Sequence, residues 1–205
     1  YSPIDGQALT TFFKKRSVDE KIATKAGLII NSYKGPRDMF RERLMVPLAD
    51  ISGNIIGLTA RQLTSDSNSP KYINTPATAI YDKSRHIFGL NLAKDAIRQT
   101  GFVVIVEGNL DVITSHQYGV KNVVATAGTA LTKDQIKILQ RFTSDIRLCF
   151  DQDKAGITAA ERSIAVAQGV GAQLSIITIS GAKDPDELIK INLESWQKAI
   201  EQPKY

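Results

Sequence analysis

The sequence predicts an α/β chain in which a parallel sheet with helices on both faces follows a smaller, basic α+β subdomain. Three observations carry this expectation. From Gly101 onward, short β-branched runs alternate with helical stretches, the rhythm of βαβ units. The first hundred residues instead hold a hairpin signal and short amphipathic segments. The charge divides in the same way: residues 1–106 carry 15 basic and 9 acidic side chains, and residues 107–205 carry 11 and 12. A basic half joined to a slightly acidic one points to a polyanion partner beside chemistry that uses carboxylates.

The elements follow in order. QALTTFFKK (7–15) and SVDEKIATKAG (17–27) read as two short helices. RLMVPLAD (43–50) and NIIGLTARQL (54–63) flank Ile51-Ser52-Gly53, a hairpin with Gly53 in its turn. SDSNSP (65–70) is a polar loop, and LNLAKDAIRQT (90–100) is a helix stopped by Gly101. FVVIV (102–106) is continuous and β-branched, as a strand buried on both faces should be. NLDVITSHQY is a short helix with a Gly119 stop, and VVATA (123–127) is the second strand. LTKDQIKILQRF offers Thr132 as N-cap, with Leu131, Ile136, Leu139 and Phe142 in a helical stripe. IRLCF (146–150) is the third strand, GITAAERSIAVAQ an Ala-rich helix ending at Gly169, and LSIITI (174–179) the fourth strand. A helix from Pro185 fits proline at a first helical turn.

Composition narrows the class further. With 205 residues, 42% of them hydrophobic and 23% charged, the chain is neither disordered nor fibrous nor a disulfide mini-protein. The single Cys149 can form neither an internal bridge nor a structural zinc cluster, which fits a reducing compartment. No apolar run of about 18 residues is present, and the start lacks the grammar of a signal peptide. A cytoplasmic location without membrane contact is expected, and the start at Tyr1 is taken as that of a fragment.

The acids fall where a parallel sheet binds its ligands, beyond the carboxyl ends of the strands. Glu107 follows the first strand directly, and Asp111 lies one helical turn later. Asp151 and Asp153 follow the third strand; Asp184 and Asp186 lie in the loop after the fourth. Six carboxylates converging on one sheet edge repel one another unless a cation neutralises them, and their oxygens suit a hard divalent ion such as Mg²⁺. With no His or Cys in the group, zinc is disfavoured. Gly108 and Gly128 leave room for a close approach of backbone or phosphate, and Gly156 stands where a helix must start close to its strand.

These residues also carry a resemblance. VEGNLDVI, ATAGTALT, LCFDQDKAGITAAERS and the KDPDE segment, in this order and spacing, resemble the TOPRIM domain. Upstream, FFKKRSVDEKI, Phe40-Arg41-Glu42-Arg43, Ala60-Arg61, Lys71-Tyr72-Ile73-Asn74-Thr75-Pro76 and Lys83 before Ile87-Phe88-Gly89-Leu90 resemble the basic part of the bacterial DnaG-type DNA primase core. Three departures stand out. Asn109 replaces a usual Tyr, Thr59-Ala60 replace usual glycines, and the stretch between Gly27 and Asp38 is short.

The resemblance implies a primase catalytic core with a basic subdomain over 1–100, a TOPRIM domain over 101–190 and the start of a helical subdomain over 191–205. It implies DNA-templated synthesis of RNA primers from ribonucleoside triphosphates on single-stranded DNA, with two or more Mg²⁺ or Mn²⁺ ions. Glu107, Asp151 and Asp153 are then the candidate catalytic residues. Asp151, Asp153 and Asp184 are the leading metal ligands, Glu107 is ligand or general base, and Asp111 and Asp186 are second or water-mediated ligands. Arg16, Arg41, Arg43, Arg61, Lys71 and Lys83 would hold template or triphosphate, with Tyr72 stacking on a base. Partnership with a replicative helicase and a single-strand-binding protein is implied through domains outside these residues. Phosphodiester cleavage by a TOPRIM nuclease or topoisomerase is the competing activity, and a non-catalytic nucleic-acid-binding module the competing class. Both histidines, Trp196 and Cys149 read as structural.

Overall fold

The computed structural model describes residues 1–33, 35–64, 69–126, 130–151 and 154–204. The chain forms two compact units, Tyr1–Lys83 and Ser84–Tyr205.

The first unit opens with helices α1 (Ala8–Lys15) and α2 (Glu20–Lys25). Strands β1 (Ile29–Ser32) and β2 (Gly35–Asp38) form an antiparallel pair, Ile29 opposite Asp38 and Ser32 opposite Gly35. This pair has no counterpart among the sequence expectations, because Asn-Ser-Tyr-Lys-Gly-Pro carries no apolar alternation. What secures it is polar. Asp38, only 3% exposed, accepts hydrogen bonds from the amides of Leu9 and Thr10 (2.8 Å each) and from the Thr10 hydroxyl (2.7 Å). One buried carboxylate thus satisfies the second and third amides of α1, the first being taken by Asp5, and pins that helix to β2.

Strands β3 (Arg43–Ala49), β4 (Ile55–Gln62) and β5 (Tyr72–Asn74) form a three-stranded antiparallel sheet in that order. The β3–β4 turn falls where Gly53 predicts it. Gly53 adopts φ 94°, and Asp50 accepts from the amides of Ser52 and Asn54 at 2.9 Å each. The turn is therefore an aspartate-centred loop that closes on a glycine. Most of the polar loop expected over 65–70 lies outside the described residues.

The second unit holds a four-stranded parallel sheet in the order β7-β6-β8-β9. Its strands are β6 (Phe102–Val106), β7 (Val123–Ala125), β8 (Asp145–Cys149) and β9 (Leu174–Ile176). The helices are α3 (Leu90–Thr100), α4 (Asn109–Gln117), α5 (Lys133–Leu139), α6 (Lys154–Gln168), α7 (Pro185–Ile191) and α8 (Leu193–Glu201). Side-chain alternation divides them between the two faces. Val103, Ile105, Val124, Ile146 and Leu148 share one buried cluster with Leu90, Ala93 and Ile97 of α3 and Ile136 and Leu139 of α5. The intervening positions face the other side, where Arg147 donates to the Ile200 carbonyl of α8 at 2.5 Å.

Helix α3, grouped in the sequence reading with the first hundred residues, belongs to this unit because its apolar stripe completes that cluster. Thr132 caps α5, accepting from the Gln135 amide at 3.1 Å, while Gln135 reciprocates to the Thr132 amide at 2.9 Å. Strand β9 is shorter than the 174–179 expected. At Ile176 its free edge is taken by a two-bond bridge with Lys204, 2.8 Å each way. Lys204 thus satisfies the backbone groups of Ile176 on the outer edge of the sheet.

Candidate active site

The strand order places a topological switch between β6 and β8, because β7 follows β6 on one side and β8 lies on the other. A crevice opens at such a point, beyond the carboxyl ends of the two strands. Glu107 and Asp151 stand there. Val106 and Cys149 are register partners, and the Glu107 Oε1 accepts the Asp151 amide at 3.1 Å. Gly156 makes that approach possible: a Cβ on it would lie 2.7 Å from Glu107 Oε1 and collide with the Asp151 carbonyl oxygen. The first turn of α6 therefore rests directly on the two acids.

Asp111 lies in the first turn of α4 and is 6% exposed. Both of its oxygens are engaged. Oδ2 accepts the Gly108 amide at 3.1 Å, and Oδ1 accepts the Asp186 amide, 75 residues away in sequence, at 3.0 Å. Gly108 has to be small, since a Cβ there would approach Asp111 Oδ2 to 2.7 Å. Burial pushes the Asp111 carboxyl up to about 7, and the negative charges of Asp184 and Asp151 push it in the same direction. The two backbone amides hold it down against these effects. Behind the site, Cys149 is fully buried; desolvation raises its thiol far above the usual range, so it is an inert packing group.

Asp184 caps α7, accepting the Glu187 amide at 2.9 Å. The Asp186 carboxylate accepts the Thr114 hydroxyl on Oδ1 (2.5 Å) and pairs with Lys190 Nζ on Oδ2 (2.7 Å). Asp153 lies outside the described residues, as does Gly128. Among the described residues no three His, Cys, Asp or Glu side chains close on one point as a formed metal cage. The donor chemistry nevertheless fits a hard divalent ion. The group offers carboxylate oxygens alone, and Asp184 and Asp151 penalise a charged Asp111 in a way that a cation would relieve. The Asn109 Oδ1, on the first residue of α4, is buried without a hydrogen-bond partner.

The basic candidates sit in the first unit. Arg61 of β4 is the register partner of Leu44 on β3 and of Tyr72 on β5. Directly opposed residues share a face, so Leu44, Arg61 and Tyr72 form one row across the sheet. Leu44 and Tyr72 are each 42% exposed. Lys71 precedes Tyr72 and is exposed.

Arg43 behaves differently from its neighbours. It is 4% exposed, and its guanidinium donates to the Pro70 carbonyl (2.8 Å), the Lys71 carbonyl (3.4 Å) and the Ser69 hydroxyl (2.6 Å). Burial lowers its pKa, and the charge of Arg41 lowers it further. Between the two arginines, Glu42 adopts a left-handed φ of 52°, which leaves Arg41 outside and Arg43 inside. Arg43 thus holds the segment that presents Lys71. Arg16 is exposed and stacks over Phe12 at 5.2 Å from its centroid; Lys83 is half-buried at the end of the unit.

Sequence reasoning passed over Leu44, Thr114 and the Gly108–Asp111 link. Register exposes the first, since Leu44 faces Arg61. The i, i+3 spacing from Asp111 was the available signal for Thr114.

Comparison with known proteins decides the family. Residues 1–94 match the family described as DNA primase catalytic core, N-terminal domain, and residues 104–189 match the Toprim-like family. The chain belongs to the DnaG-type primase family. It is 40% identical to a DNA primase of Clostridium acetobutylicum over 203 residues, covering 98% of this chain and 33% of the relative. A DNA primase of Streptomyces coelicolor is also 40% identical, over 92% of this chain and 30% of its own length. The chain therefore spans about a third of the curated relatives it matches. A DnaG primase catalytic domain solved bound to ssDNA superposes with a TM-score of 0.89 at 32% identity, over all of this chain and 65% of that one. The E. coli primase catalytic core superposes with a TM-score of 0.89 at 33% identity, over 99% and 66%. Among the described residues no helix is long and apolar enough to cross a membrane.

Proposed function

We propose that the chain is the nucleotidyl-transfer core of a DNA primase, joining ribonucleotides into a primer on a single-stranded DNA template. The observation that carries this is the Glu107–Asp151 pair at the switch point of a Toprim-like sheet, in a chain matched along its length by DnaG catalytic cores. When bound, divalent ions lower the pKa of the attacking 3′-hydroxyl and neutralise charge on the departing pyrophosphate. Glu107, Asp151, Asp153 and Asp184 are the residues we assign to hold them, with Mg²⁺ or Mn²⁺ the ions their oxygen donors favour. Glu107 is assigned as ion ligand or proton acceptor, held in place by the Asp151 amide on its Oε1.

In the first unit, the Leu44–Arg61–Tyr72 row offers a base-stacking surface beside a phosphate-binding cation, with Lys71 next to it. Arg16, Arg41 and Lys83 extend the positive charge. The solved DnaG domain bound to ssDNA supports the template assignment. Ribonucleoside triphosphates follow from the chemistry, and a cytoplasmic site of action follows from the template.

The test is incubation with single-stranded template, ribonucleotides and Mg²⁺ or Mn²⁺. The parent should make short RNA. Glu107→Gln and Asp153→Asn should bind the template as the parent does, because a carboxylate near DNA repels it, yet make almost no product. Losing ion-mediated charge stabilisation removes several kcal/mol from the transition state, roughly a thousandfold in rate. Template cleavage instead of synthesis would refute the assignment, as would near-parent synthesis by either variant.

A further inference from the structure

We infer that Thr114 is a positioning residue for the metal site, and that Asp186 serves as its anchor point instead of as a ligand. The inference rests on the metal-binding reading above. Asp111 and Thr114 lie three residues apart on α4 and so face the same way. Both reach residue 186, by complementary means: Asp111 Oδ1 accepts its amide at 3.0 Å, while the Thr114 hydroxyl donates to its carboxylate at 2.5 Å. A backbone bond and a side-chain bond together fix one residue in position and orientation.

Thr114 is 6% exposed, and in a helix its hydroxyl would ordinarily turn back to a carbonyl one turn earlier. Here it reaches across 72 residues of sequence instead. The remaining Asp186 oxygen is paired with Lys190 at 2.7 Å. An acid so engaged on both oxygens is poorly placed to ligate an ion.

The consequence falls on Asp184, two residues upstream, which caps the same helix and acts electrostatically on Asp111. Asp111 bonds the Gly108 amide with its second oxygen, so the loop after β6, which carries Glu107, and the loop before α7, which carries Asp184, are tied through one carboxylate. Thr114 locks the far side of that tie. Partners of this kind, one layer behind the ligands, set ligand orientation, and losing one typically weakens metal binding by 10–100-fold.

Mn²⁺ titration of the chain by calorimetry or electron paramagnetic resonance, without DNA or nucleotide, reads this directly. Thr114→Val should weaken Mn²⁺ binding at least roughly tenfold, and Thr114→Ser, which restores the hydroxyl, should recover it. Asp186→Asn keeps an acceptor oxygen for Thr114 and should bind close to the parent, whereas Asp186→Ala should fall with Thr114→Val and Asp184→Asn should lose most. In primer synthesis, Thr114→Val should need more Mg²⁺ yet approach the parent's kcat at saturation. Parent-like Mn²⁺ binding by a folded Thr114→Val overturns the inference, as does a loss in Asp186→Asn equal to that in Asp184→Asn. Should Thr114→Val fail to fold, the Asp186→Asn and Asp186→Ala pair decides: a difference supports the anchor, and equal losses refute it. No Mn²⁺ binding by the parent would refute the metal reading itself, a result distinct from failure of the anchor alone.

Discussion

Replacing Gly156 by Ala sets two opposed effects against each other. Within a helix, Gly→Ala ordinarily stabilises by about 1 kcal/mol, since alanine loses less backbone entropy and covers the backbone better. Gly156 is the third residue of α6, so that gain applies. The added methyl, however, would meet the Asp151 carbonyl oxygen and come within 2.7 Å of Glu107 Oε1. Neither obstacle is the far end of a flexible surface chain. One is backbone, and the other is a carboxylate tied to the Asp151 amide. Overpacking of a tight site costs about 1–3 kcal/mol, and a backbone obstacle puts this case at the upper end. The net expectation is a loss of about 1–2 kcal/mol, or roughly 2–8 °C in Tm if the 205 residues unfold as one cooperative unit. Relief requires α6 to move away from β8, which pulls Glu107 and Asp151 apart, so Mn²⁺ affinity and primer synthesis should fall beyond what stability explains. Urea unfolding followed by Mn²⁺ titration at a temperature where the variant is folded separates the two effects. A Gly156→Ala protein that is more stable than the parent and binds Mn²⁺ equally would refute the close approach of α6 to the acid pair.

The remaining predictions concern single side chains. Without metal, the Asp111 carboxyl, raised to about 7, keeps its proton in the fold at a pH where the unfolded chain releases it. Its contribution therefore lowers stability as pH climbs from about 4 through 7, by up to about 4 kcal/mol, and Asp111→Asn should flatten that decline in pH-dependent urea melts. Divalent ion should flatten it too, by favouring the carboxylate. Arg43→Met takes the guanidinium donor from the Pro70 carbonyl and the Ser69 hydroxyl, while the Lys71 carbonyl keeps the Gln62 amide, and should destabilise the first unit by about 1–3 kcal/mol. In fluorescence anisotropy across a salt series, Lys71→Ala should flatten the salt dependence of DNA binding by about one unit of slope, while Arg43→Met weakens binding with little change in slope. Tyr72→Ala should weaken single-stranded DNA binding by about 1–3 kcal/mol, and Tyr72→Phe should not, because a stacked base needs only the ring.

The legible parts of the fold were those where one local rule decides. Phe102–Val106 is read as a buried strand because it is a continuous apolar, largely β-branched run, and Thr132 as a cap because it precedes the apolar stripe of a helix. Gly53 and Gly101 mark turns because each needs a positive φ, 94° and 79°. The pair β1–β2 escaped because its determinant, the burial of Asp38 under α1, joins residues 28 apart in sequence. Strand β9 was overextended: Ile177 to Ile179 look like strand, but the pairing with β8 ends where the Ile177 amide donates to the Leu148 carbonyl. At the site, Glu107 and Asp151 were readable from strand ends alone. Nothing local marks Arg43 as buried while Arg41 is exposed, because that depends on the left-handed Glu42 and on Ser69 to Lys71 arriving from another strand.

Four of the described acids divide once their partners are compared. Asp111, Asp184 and Asp186 each accept a hydrogen bond that organises a helix beginning or a helix pair, and Asp111 accepts two. Glu107 accepts an amide that fixes the spacing of β6 and β8 ends. A carboxylate accepting one amide still has lone pairs for an ion, and the exposed Lys183 ammonium stands off Asp184 at 3.9 Å, so a structural bond and a ligand role are compatible for Glu107 and Asp184. For Asp186, with a hydroxyl on one oxygen and an ammonium on the other, they compete. On the proposed assignment, the same residue type in the same loop does two jobs, and the spacing that makes the motif recognisable does not distinguish them. What distinguishes them is the second element each oxygen reaches: backbone at its own helix start for Asp184, and the side chain of a neighbouring helix for Asp186.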